Sequence, residues 1–66
     1  MKLANFIDTR LKHSDYVTIC NMNGLALYRG LVADIPYRLA VKSTVQTATI
    51  STSVGTILVH VIYHNN

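Results

Sequence analysis

Apolar positions recur along this chain with two different periods. From Lys2 to Leu11, the residues Leu3, Phe6, Ile7 and Leu11 fall at helical spacing, while Lys2, Asn5, Asp8, Thr9 and Lys12 take the opposite side. The spacing predicts an amphipathic helix whose single apolar stripe must dock on something. Arg10 and Lys12 suit the negative end of its dipole, and His13-Ser14-Asp15 breaks the pattern. Tyr16 to Asn21 is rich in β-branched and aromatic residues and reads as a strand. Asn23-Gly24 follows, a dipeptide suited to a two-residue hairpin in which both positions take positive φ. Leu25 to Val32 is then the returning strand, with Leu25, Leu27 and Leu31 on one side and Ala26, Tyr28, Gly30 and Val32 on the other. Gly30 inside it marks a bulge or a close backbone approach.

Asp34-Ile35-Pro36 closes that strand, because proline has no N–H for a ladder and forces the residue before it to be extended. Tyr37 to Ala40 is expected to form one helical turn, with Pro36 at its first position and Asp34 near enough to cap it. In Val41 to Ser53, Val45, Thr47, Thr49 and Ser51 alternate with Gln46, Ala48, Ile50 and Thr52, which predicts a weakly apolar edge strand. Val54-Gly55 supplies a turn. Thr56 to His64 is apolar on both faces, with Ile57, Val59, Val61 and Tyr63 on one and Leu58 and Ile62 on the other. Such a strand belongs at the centre of a sheet or at an interface between copies. The pattern predicts one α+β domain over residues 1–66: an N-terminal helix packed on a four-stranded antiparallel sheet, with a short helical turn after Pro36.

Composition sharpens this picture in two ways. The chain has 66 residues, half of them hydrophobic, and a chain this short buries only ~60% of the surface it exposes when unfolded. Covering the surplus apolar surface with a second copy is a common remedy in small domains, so a homo-oligomer is expected, with Ile57, Val59, Val61 and Tyr63 as its interface. Cys20 is the single cysteine, which rules out an internal disulfide and suits a reducing cytoplasm. No apolar run has the length of a membrane span, and no signal peptide is expected after Lys2.

Charge leaves room for an anionic partner. Six Lys and Arg oppose three Asp, for a net charge of +3, but the cations are scattered rather than run together. The densest chemistry lies around the central turn, where Tyr28, Arg29, Asp34, Tyr37 and Arg38 form a candidate ligand-binding cluster. Guanidinium planes and phenol rings can stack on bases and pair with phosphates. The competing reading packs the tyrosines on the sheet and leaves the arginines solvated. Catalytic and metal signatures are lacking. His60 and His64 lie four apart on a strand, roughly 13 Å from each other, too far to share one ion. Cys20 reads as a small core residue, and no glycine-rich phosphate loop occurs. Neither a catalytic residue, a metal nor a cofactor is expected.

Taken together, Asn23-Gly24, Tyr28-x-Gly30, Ala33-Asp34-Ile35-Pro36, Val45 and Ile57-Leu58-Val59-x-Val61 resemble a group of very short proteins encoded by phages and prophages of Gram-positive bacteria. The resemblance covers nearly the whole chain, but it rests on turns and alternation; the acidic residues common in that group are missing here. It implies a setting, an accessory protein in the host cytoplasm, rather than a chemistry; the leading expectation is a non-catalytic accessory or anti-defence protein that binds a host protein or sequesters a small anionic, nucleotide-like ligand. Val17-Thr18-Ile19 to Asn23-Gly24-Leu25 is also similar to the opening of bacterial Sm-like RNA-binding proteins, which implies a nucleic-acid binder instead. The Asp34-Ile35-Pro36 turn is foreign to that fold. A purely structural subunit is the third reading.

Overall fold

In the computed structural model, which describes residues 1–51 and 56–64, the first apolar stripe forms α1, Leu3–Arg10, with Leu3, Phe6 and Ile7 buried. Its first turn lacks a side-chain cap; the Phe6 N–H donates to the Lys2 carbonyl at 3.1 Å. Leu11 turns extended and ends the helix. The loop beyond is held by Asp15, whose carboxylate accepts the Lys12 N–H at 2.9 Å.

β1 spans Tyr16–Cys20 and β2 Ala26–Leu31, paired antiparallel. The connection differs from a two-residue turn. Only Gly24 has positive φ, at 86°, and Asn23 does not share it. Asn21 organises the loop instead: its Oδ1 accepts the N–H groups of Asn23 and Leu25, at 2.9 and 3.0 Å, and its carbonyl accepts from Gly24. Three residues, with glycine at the left-handed position, make the hairpin.

β2 runs straight into a 3-10 turn, Val32–Asp34, so Val32 leaves the strand and is buried in the core. Pro36 then stands just outside the second helix, α2, which spans Tyr37–Lys42 and is longer than the single turn expected; no side chain, Asp34 included, caps it. β3, Ser43–Ser51, follows without a loop, and β4 spans Thr56–Tyr63. The expected start of β3 at Val41 is therefore helical, and its expected end at Thr52-Ser53 and the Val54-Gly55 turn lie outside the described residues.

The strands lie in the order β2-β1-β4-β3. β3 pairs antiparallel with β4, but β1 and β4 are parallel, so the sheet is mixed and the expectation of a purely antiparallel one is corrected. The cause is α2. A tight turn would start β3 at the end of the sheet where β2 stops, whereas residues 32–42 carry the chain back to the other end, the length a parallel crossover needs. β3 then runs in the direction of β2, and β4 enters beside β1.

All the helical material lies on one face. Leu3, Phe6 and Ile7 of α1, Val32, and Leu39 of α2 close over Val17 and Ile19 of β1 and Ile57, Val59 and Val61 of β4. Two bulges decide which strand residues join them. One, opposite Cys20, turns Leu27 away from the face that Leu31 takes. The other, at Gln46, lets Val45, Ala48 and Ile50 stand opposite Val61, Val59 and Ile57; simple alternation had set Val45 apart from Ala48 and Ile50. Replacing Asn21 by Ala should cost about 1–2 kcal/mol, because two backbone N–H groups lose their acceptor, while Asn23→Ala should stay within about 0.5 kcal/mol. Urea denaturation of both variants checks this; the reverse order would restore the two-residue turn.

Candidate functional site beside the second helix

The five residues of the central cluster do not converge. Tyr28 and Arg29 are neighbours on a strand and therefore point to opposite faces. Tyr28 stands opposite Ile19 on the helical side, half-buried against the core, and Arg29 stands opposite Thr18 on the other side, exposed. Asp34 is exposed on the 3-10 turn, and Tyr37 is 81% exposed at the start of α2.

Tyr28 has a structural task. Its hydroxyl donates to the Leu31 carbonyl at 2.7 Å, which folds the ring back over Gly30. A Cβ at Gly30 would lie 2.8 Å from that hydroxyl, and Gly30 has φ +154°. The Tyr-x-Gly spacing is thus explained by a ring that needs a bare backbone beneath it. Partial removal from water raises the Tyr28 phenol above its ordinary pKa, and the nearby Asp34 carboxylate and Tyr16 phenol push the same way.

Of the cluster, Arg38 and Tyr37 each border a cavity, but not the same one. Together with Leu27, Pro36, Leu39 and Tyr63, Arg38 lines an apolar cleft of about 270 Å³. A second hollow of about 330 Å³ shares Leu27 and Tyr63 and runs on past Asn21, Met22 and Asn23 to Val61 and Ile62 at the end of the sheet, so the two adjoin along one groove. Each alone is near the lower limit of ~300 Å³ for small-molecule sites. The groove opens at the carboxyl ends of the parallel strands β1 and β4, against the six-residue α2, whose Arg38 and Leu39 line it. Leu27 was the hidden member: its bulge, invisible to alternation, brings it there.

Two smaller features flank this groove. Ala4, Ile7, Asp8, Ile35, Tyr37 and Val41 line a cleft of about 280 Å³ between the helices. Lys2, Lys42, Ser43, Thr44 and His64 line a hollow of about 150 Å³, where Thr44 Oγ1 and His64 Nε2 are 3.0 Å apart and the buried Ser43 Oγ has no partner. His60 stands apart from His64, half-buried at the centre of β4 in register with Cys20. Cys20 is 6% exposed but lies on the sheet face away from the core. Among the described residues, no three His, Cys, Asp or Glu gather as a metal site.

The expected interface residues are also relocated. Ile57, Val59 and Val61 are 7%, 0% and 0% exposed within the single chain. They are enclosed by its own helices and present nothing to a second copy; Tyr63 is half-buried and lines the groove. Comparison with protein-family models, curated proteins and solved structures finds no match to this chain.

The folded state favours the protonated Tyr28 phenol. Its contribution to stability is therefore complete below about pH 10, the unfolded value, and is lost as pH rises through the higher folded value. Denaturation midpoints between pH 9 and 11.5 should fall more steeply for the wild type than for Tyr28→Phe; equal slopes would show that the phenol is free in solution.

Proposed function

We propose that this chain is a non-catalytic accessory protein that works by holding a partner protein in the groove beside α2. The groove carries the proposal: its floor is apolar (Leu27, Leu39, Tyr63) and the permanent cation Arg38 stands at its rim. Such a site fits an apolar side chain that has a carboxylate next to it. Lys42 follows Arg38 by one helical turn, and Lys2 lines the same hollow as Lys42. This side of the molecule therefore draws acidic surfaces by long-range attraction. Arg29, on the far face, takes no part.

The resemblance of the turns and strands to short phage and prophage proteins gives this chemistry its setting, a phage-encoded protein that occupies a host protein in the host cytoplasm. Sequestration of a nucleotide has less support, because Tyr28 is committed to Leu31 and Gly30 and does not join Tyr37 in a stacking platform. Among the described residues, no helix is long and apolar enough to cross a membrane.

Backbone NMR titration with two capped dipeptides, leucyl-glutamate and leucyl-glutamine, tests the reading. Shifts should concentrate at Leu27, Arg38, Leu39 and Tyr63, with the glutamate form bound about 2–5-fold more tightly, the range of an exposed ion pair. Arg38→Glu should reverse the preference. Shifts elsewhere, or indifference to the carboxylate, would defeat the proposal. Binding of an oligonucleotide that weakens steeply with salt would replace it with the nucleic-acid reading.

A further inference from the structure

The second face of the sheet is bare. α1, α2 and the 3-10 turn contribute to the core on one side, and among the described residues no element packs on the other. Register identifies what stands there: Tyr16 beside Leu31, Thr18 between Arg29 and Leu58, Cys20 between Ala26 and His60, Ile62 beside Thr44, and Thr47 and Thr49 beyond His60 and Leu58. Tyr16 is 52% exposed, Leu31 43% and Ile62 40%, while Thr18, Leu58 and His60 between them are half-buried and Cys20 is buried by its neighbours on the sheet. No carboxylate stands among these residues, and Arg29 is their one permanent charge.

We propose that a second copy of this chain packs on this face, sheet against sheet, to give a dimer layered helix, sheet, sheet, helix. Three observations choose this occupant. The first is the state of the edges. β2 carries a bulge at Leu27 and the positive-φ Gly30, and β3 carries a bulge at Gln46. The start of β3 is also capped by the N-terminus, because the Val45 N–H donates to the Met1 carbonyl at 2.8 Å and Lys2 bridges Thr44. Irregular, covered edges discourage pairing edge to edge, which leaves the face.

The second observation is size. Four strands at ~4.8 Å spacing and about six residues at ~3.3 Å give a face of about 19 by 20 Å, or roughly 400 Å² in plan and more in accessible surface. In plan that is about half of the ~800 Å² per partner of a standard interface, the size of a weak, concentration-dependent dimer. The third is charge. A nearly neutral face suits neither nucleic acid nor an anionic membrane, since Lys2, Arg38 and Lys42 belong to the N-terminal segment and α2. A twisted sheet with the same apolar residues is its natural complement. The dimer would also place the two α2 grooves on its opposite outer surfaces, making the proposed partner binding bivalent.

The test is the mass of the intact protein at sub-millimolar concentration, by sedimentation equilibrium and native mass spectrometry. The expected mass is twice the 7.3 kDa of one chain. Leu31→Lys and Ile62→Lys, each at an exposed position outside the core, should weaken the dimer by about thirtyfold or more, the loss that burying an unpaired charge at an anchoring residue brings. Far-ultraviolet dichroism should still show a folded chain. Ile50→Lys, exposed but on the helical side of β3, should leave the mass unchanged. Arg38→Glu should do the same, so failure of the groove proposal and failure of the dimer are read separately. A wild-type monomer, or a dimer indifferent to both Leu31→Lys and Ile62→Lys, would overturn the inference.

Discussion

Parallel pairing of β1 with β4 is the contact on which the rest of the molecule depends. It puts Val17 beside Ile57 and Ile19 beside Val59, and of these four only Ile57 shows any exposure, at 7%. Each of the two strands also holds an outer partner, β2 or β3. The pairing exists because α2 lies between the two hairpins as a return leg. Without that leg, β3 would begin beside the end of β2 and β4 would be displaced to an edge.

The same leg creates the surface features. Six residues of helix are enough to reverse the chain but too few to roof the whole inner face. The gap left beside α2 is the groove lined by Leu27, Leu39 and Tyr63. With both helices on one side, the opposite face of the sheet has no cover among the described residues. The half-hydrophobic composition thus divides between a core, a groove and a bare face, and the second and third are where a partner gains most by removing apolar surface from water.

Local features were legible in the sequence and non-local ones were not. The α1 stripe, the approximate strand limits, the turn at Asp34-Ile35-Pro36 and the central character of the last strand all follow from spacing and residue type. Strand direction does not, because nothing in Tyr37–Ala40 shows that the helix continues to Lys42 and returns the chain. Bulges are likewise silent: Leu27 and Gln46 look like ordinary alternating positions. The candidate site suffered from both. Tyr28 and Arg29 were grouped because they are adjacent, although adjacency on a strand separates two side chains. The excess of apolar residues over the core expected of so short a chain points Ile57, Val59 and Val61 to an interface, yet α1 and Leu39 cover them. Arg38 kept its place beside a cavity because a helix carries it.

Cross-strand nuclear Overhauser contacts in isotope-labelled protein test the central claim most directly. The account predicts contacts linking Val17 with Ile57 and Ile19 with Val59 in parallel order, and the slowest amide exchange in β1 and β4. A ladder in which β1 and β4 run in opposite directions, or in which β2 lies between them, would contradict it, and the groove and the bare face would have to be abandoned with it.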